Sequence, residues 1–209
     1  MGANDTTLLE PIQAVEADRI VDAALSLGAQ RTWNAVHLYD IADHMGVGLA
    51  DIERHFRNKD EIAEAWFRRA DNALAACGNT PGWMSMSIRE RLSCAIRTWL
   101  RALEPHKAIT VEMLRYKVQP DHLHLMIQGV IRTSATVQWM REAARVPSIG
   151  LRRELEEPAL TAIFLGTLAS WLTERTPGTP RTWRWLHLHL TVAEAIAHRW
   201  PSGRTRAAP

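Results

Sequence analysis

At 209 residues, with 46% apolar residues and a formal net charge of +2, the chain can bury one sizeable core or two smaller ones, which excludes a disordered polyelectrolyte. That charge hides an asymmetry: residues 1–70 carry 7 Lys/Arg against 12 Asp/Glu, a balance of −5, whereas residues 71–209 carry 18 against 11, a balance of +7. Two cysteines, Cys77 and Cys94, exclude a disulfide framework, and the acidic N-terminus lacks the basic-then-apolar pattern of a signal peptide, so a cytoplasmic protein with buried reduced thiols is expected.

Residues 1–16, with Pro11 and no evident periodic face, read as a tail. Asp18 then helps to start a helix whose Ile20, Ala23, Ala24 and Leu27 face inward, with Gly28 near its end. A second helix carries Leu38, Ile41, Ala42 and Met45 at helical spacing, and Gly46 sits where a left-handed residue would end it. Val47 is expected as an apolar plug, after which Ile52, His55 and Phe56 give a short third helix one buried face, set across the second by a turn of about three to four residues. Asn58 and Glu61 form an N-x-x-E capping pattern that opens a helix through Ile62, Ala65, Trp66 and Ala70 to about Ala76.

The stretch CGNTPGWMSMS is the clear boundary. Beyond it lie amphipathic segments at about 87–103, 109–116, 121–144, 151–175 and 182–200, separated by Glu104-Pro105, Pro120, Pro147–Gly150 and the turn Thr176–Pro180. Strand signals are almost absent, so the fold class is all-α. The longest uncharged run, Pro158–Thr173, is short for a membrane span and contains Thr161, Thr167 and Ser170, which favours a buried helix and no integral membrane association. His122/His124 and His187/His189 are spaced by two, so on a helix each pair points about 200° apart and cannot chelate one ion. No metal or cofactor is expected. No phosphate-binding glycine loop, nucleophile elbow or zinc-protease motif is present, so the chain does not read as an enzyme.

The Ile20–Leu27 helix, Trp33, Asp40-Ile41-Ala42, Gly46-Val47, His55-Phe56 and Asn58-Lys59 together resemble the tetracycline-repressor (TetR) class of bacterial regulators. The resemblance implies an N-terminal three-helix helix-turn-helix DNA-binding domain (17–76), a helical effector-binding and dimerisation domain (77–200) and a flexible tail (201–209). It further implies homodimerisation, operator DNA as partner and control by a small, largely apolar or aromatic effector. The DNA-facing candidates are then Gly48, Leu49, Ala50, Glu53, Arg54, His55, Asn58 and Lys59. The family's recognition helix usually opens with a hydroxyl and a basic residue and later carries a phosphate-contacting Tyr. Here those places hold Gly48, Leu49 and Glu53, with Val36 where a phosphate-contacting Thr is common. Lys59 is the retained phosphate candidate, and Glu53 faces repulsion from phosphates unless it accepts from a cytosine amino group. A second reading, from the acidic helix-turn-helix and Thr182-Trp183-x-x-Leu186, is a lipid- or isoprenoid-binding accessory protein of ubiquinone synthesis that has this fold without DNA contacts.

Among the nine tryptophans, Trp99, Trp139 and Trp171 join Met113 and Met126 as candidate lining of an apolar pocket, with Arg97, Arg101 and Arg115 available to an acidic group on the ligand. The helix around Leu155–Leu172 holds more apolar residues than one inner face needs. Leu160, Phe164, Leu168, Trp171 and, from the last helix, Leu186 are therefore the candidate dimer interface, with Gly166 and Ala169 permitting close approach.

Overall fold

The computed structural model describes the backbone of residues 6–117, 123–147 and 151–199, and the side chains of residues 16–116, 133–147 and 154–199. In chain order the helices are α1 (Thr6–Gln30), α2 (Leu38–Met45), α3 (Leu49–Glu53), α4 (Lys59–Ala76), α5 (Ile88–Leu103), α6 (Lys107–Lys117), α7 (Leu123–Ala144), α8 (Leu151–Thr173) and α9 (Pro180–Arg199). Among the described residues there is no strand, and no helix is long and apolar enough to cross a membrane. The supposed tail is largely helix: α1 begins at Thr6, and Leu8, Ile12 and Val15 do recur at helical spacing across Pro11. Residues 201–209 and Met126's side chain lie outside the described residues.

The chain divides into two compact units, but not at residue 76. One takes the residues up to Ala73 together with those from Arg101 to Ile131; the other takes Leu74–Leu100 and those from Arg132 onward. In the first unit α6, distant in sequence, completes the core beneath α1 and α4. The Trp66 indole N–H donates to Thr110 Oγ1 at 2.9 Å, so a buried tryptophan keeps a partner for its polar end. Gly28 lets α1 approach α6 closely, because a Cβ there would stand 2.7 Å from Ile109 Cδ1. Glu112 Oε2 accepts the backbone N–H of Trp33 at 2.6 Å, tying α6 to the short turn Trp33–Ala35 before α2.

In the second unit α8 and α9 pack as a hairpin. Gly166 is the point of closest approach, since a Cβ there would overlap the Trp185 indole, which itself stacks on His189 with ring centroids 3.7 Å apart. Glu174 closes the turn between them: its carboxylate accepts the N–H groups of Arg181 and Thr182, both at 2.8 Å, and the Thr182 hydroxyl at 2.6 Å. Burial opposes that charge, but the Thr182 and Arg181 donors win and hold the carboxyl below its usual pKa. The boundary stretch is ordered too: Trp83 is buried and its indole N–H donates to the Ala143 carbonyl at 2.8 Å, while Ser87 and Glu90 form a reciprocal cap that starts α5.

Candidate nucleic-acid interface and effector unit

The α2–α3 pair is built as its residues dictate. Asp40 Oδ2 accepts the His37 N–H at 2.9 Å to start α2, and Gly46 ends it at φ 69°, where a side chain would be strained. The Val47 N–H then reaches back to the Ala42 carbonyl at 3.0 Å, closing the helix end. Asp51 Oδ2 accepts the Gly48 N–H at 2.8 Å and starts α3 in the same way. Ile41, Ala42, Ile52 and Phe56 are buried and fix the crossing. Val47 is not the expected plug: it is partly exposed, and fully buried Val36 fills the interior from the other side, which also removes Val36 from any phosphate.

The eight DNA-facing candidates separate into two groups. Gly48, Leu49, Ala50, Glu53 and Arg54 are exposed on or beside α3, with Arg54 ion-paired to Asp51. The other three bond within the unit, Asn58 from an exposed position. His55 is half-buried with its Nε2 3.2 Å from Glu16 Oε2, and Asn58 Oδ1 accepts the Glu61 N–H at 2.9 Å to open α4. Lys59 Nζ donates to the carbonyls of Trp33 at 2.9 Å, Val36 at 3.1 Å and Asn34 at 3.4 Å, and lies over the rings of Trp33 and Tyr116. Burial pushes its pKa below the usual lysine value, against the pull of Asp60. The expectation that this ammonium is offered to a phosphate is therefore corrected. It ties the Trp33–Val36 turn to α4.

The acidity of the first unit has a local cause. Asp40 and Asp51 serve as helix starts, Glu61 accepts the Arg57 N–H at 2.8 Å, and Asp18 and Asp22 hold the Arg69 guanidinium. These carboxylates are committed to structure. Glu53 is not among them.

In the second unit the pocket candidates do not converge. Trp99 packs edge-on against Phe164, centroids 5.2 Å apart at 85°, in close-packed core, and Trp171 is fully buried. Trp139 is 56% exposed and Met113 belongs to the first unit. A described hollow of 410 Å³ lies elsewhere, open to solvent beside Arg19, Asp22, Ser26 and His44. Sequence reasoning missed Arg91: its side chain is 6% exposed, yet its Nε has no hydrogen-bond partner among the described residues and its Nη1 meets only the Met84 sulfur at 3.8 Å. Nearby in sequence, Arg97 lies 4.9 Å over the Trp183 ring.

The dimer candidates are also turned inward. Leu160, Phe164, Trp171 and Leu186 are buried within the protomer and Leu168 is half-buried: Phe164 packs on Trp99 of α5, while Gly166, about 200° round α8, admits Trp185 of α9. The exposed apolar residues of the hairpin are Leu155, Leu165, Leu188, Val192 and Ile196, of which Leu188, Val192 and Ile196 repeat every fourth residue along α9.

The chain is all-α, with a helix-turn-helix started by Asp40 and Asp51 and turned by Gly46, the architecture of DNA-binding regulators. Residues 20–66 match the bacterial regulatory proteins of the tetR family. The chain is similar to the TetR transcriptional regulator from Nitrosomonas europaea ATCC 19718, at 39% identity and a TM-score of 0.77, over 86% of this chain and 98% of that one. A TetR transcriptional regulator from Rhodococcus sp. RHA1, at 18% identity and a TM-score of 0.60 over 86% of this chain and 96% of that one, shares the fold. No curated protein matches the chain. The chain belongs to the tetR family of bacterial regulatory proteins.

Proposed function

We propose that this regulator binds operator DNA as a homodimer, laying α3 of each protomer into the major groove, and that a small effector held by the second unit controls that binding. The observation that carries the DNA reading is the exposed Leu49-Ala50-Glu53 side of α3, presented by a helix-turn-helix whose inner residues are fully packed. The buried Arg91 guanidinium supports the effector reading: its Nε has no hydrogen-bond partner and no ion pair reaches it among the described residues. Burying such a cation is costly, and a largely apolar ligand bearing an acidic group would relieve that cost. Such a ligand acts by favouring the form whose two α3 helices are wrongly spaced for successive grooves. Leu188, Val192, Ile196 and Leu165 support a second copy of the chain as the occupant of the outer α8–α9 face.

The test is retardation of duplex DNA from upstream of the protein's own reading frame, at low salt and with excess non-specific competitor. Saturable binding with two protomers per site supports the proposal. A preparation that binds no duplex but carries an isoprenoid or phospholipid through purification refutes it.

A further inference from the structure

The surface chemistry of α3 restricts which bases it can read. We propose that α3 reads pyrimidines, through the thymine methyl group at Leu49 and Ala50 and through the cytosine amino group at Glu53; this rests on the DNA-binding reading above. Leu49, Ala50 and Glu53 are spaced to share one side of the helix, and all three are exposed, while Ile52 on the other side is fully buried. Leu49 is 52% exposed in a unit that buries Leu25, Leu27 and Leu103, so its position outside is a cost that no internal packing repays.

Purine edges in the major groove are read by donors: Arg or Lys toward guanine O6 and N7, Asn or Gln toward adenine. None of these donors stands on α3 itself, which is Leu49–Glu53. Of those that follow it, Arg54 is paired with Asp51, which also holds the Gly48 N–H, Asn58 Oδ1 accepts at the start of α4, and Lys59 holds three carbonyls. What remains is an apolar pair and a carboxylate. In the major groove the complementary features are the thymine C5-methyl, which needs no hydrogen bond, and the cytosine N4 amino group, which needs an acceptor. The carboxylate also requires that donor electrostatically, since between two phosphate rows it is repelled unless an amino group receives it.

The experiment uses the full chain. Duplexes enriched from a random pool are rebuilt with deoxyuridine replacing thymidine one position at a time, which deletes a single methyl and leaves base pairing intact. One or two positions per half-site should weaken binding by about four-fold each, the worth of one buried methyl. Leu49→Ser, at an exposed position and with an unchanged melting temperature, should bind the thymidine and deoxyuridine duplexes alike. Glu53→Gln should relax selection at one C·G pair. The proposal is overturned if deoxyuridine is neutral everywhere in an enriched site, or if Leu49→Ser keeps the discrimination. Tighter binding of Glu53→Gln to all sequences alike overturns the cytosine half. Failure of any duplex to enrich instead sinks the DNA-binding reading itself.

Discussion

Replacing Lys59 by methionine keeps the aliphatic stem and removes only the ammonium. In the native structure that ammonium serves three carbonyls, Trp33 at 2.9 Å, Val36 at 3.1 Å and Asn34 at 3.4 Å, and stands 5.3 Å from the Trp33 ring centroid and 5.7 Å from that of Tyr116. Charged hydrogen bonds are worth about 1.5 to 3 kcal/mol each when buried. Here the group is only partly buried, and the long 3.4 Å contact is to exposed Asn34 and contributes little, so the three do not add. A net loss of about 2 kcal/mol is expected. For a chain of this size that lowers the melting temperature by about 4 to 8 °C. Circular dichroism melts of Lys59→Met and wild type at equal concentration make the comparison. DNA binding measured well below both melting points should keep its salt dependence, because no phosphate contact was removed. An unchanged melting temperature, with affinity falling for every sequence and the salt slope reduced by about one unit, would show that Lys59 faces phosphate and that the carbonyl cage is incidental.

Arg91→Met should raise the melting temperature of the ligand-free protein, since it removes a buried charge that has no ion pair among the described residues; replacing such charges by apolar groups gains about 1 to 4 kcal/mol, and a fall in stability would mark Arg91 as structural. Gly166→Val should cost at least about 2 kcal/mol by expelling the Trp185 ring, read as a melting shift together with altered tryptophan fluorescence, and a neutral result would contradict the described α8–α9 approach. The pair Leu188→Glu and Val192→Glu should leave each protomer folded but monomeric by light scattering, whereas Phe164→Glu, set in the core against Trp99, should unfold the chain. Asp40, Glu90 and Glu174 all have carboxyl pKa values below the ordinary range, so the folded state holds fewer protons than the unfolded one on the acid side. Their contribution is complete above the ordinary carboxylate range and is lost as pH falls through the lowered values; Glu174→Gln should accordingly flatten the acid limb of a stability curve. With Arg54 and Arg57 as exposed cations beside α3, the proposed dimer would make about four phosphate contacts once Arg54 exchanges Asp51 for a phosphate, and a shallow salt slope of about −4 is expected.

Local devices were readable from the residues themselves. Gly46 after an amphipathic segment and Asn58 three residues before Glu61 each announce a helix terminus through a short-range bond that any chain context would permit. Harder were choices between two faces. The segment around 155–172 is apolar on more than one side, and periodicity alone cannot say that Phe164 goes in and Leu165 goes out; Trp99 of α5 against Phe164 and Trp185 of α9 against Gly166 decide it, and those are tertiary facts. Lys59 illustrates the same limit at a single residue. A lysine at a helix start suits a phosphate or a set of carbonyls equally well, and only the position of the Trp33–Val36 turn separates them. Arg91 lay on a stripe read for its apolar members, so its burial left no trace in the pattern.

The bond from Trp33 to Glu112 spans 79 residues of sequence, and Trp66 to Thr110 spans 44. During synthesis the ribosome delivers α1 to α4 well before it delivers α6, so the DNA-reading unit emerges with its Trp33 N–H and Trp66 indole still lacking partners. Closing as an autonomous first product would leave both of these bonds, and the packing of α6, unmade. Grafting residues 1–76 onto another regulator would therefore transplant an unfinished fold, and a chimera that works must carry the stretch from Arg101 to Lys117 along with the helix-turn-helix.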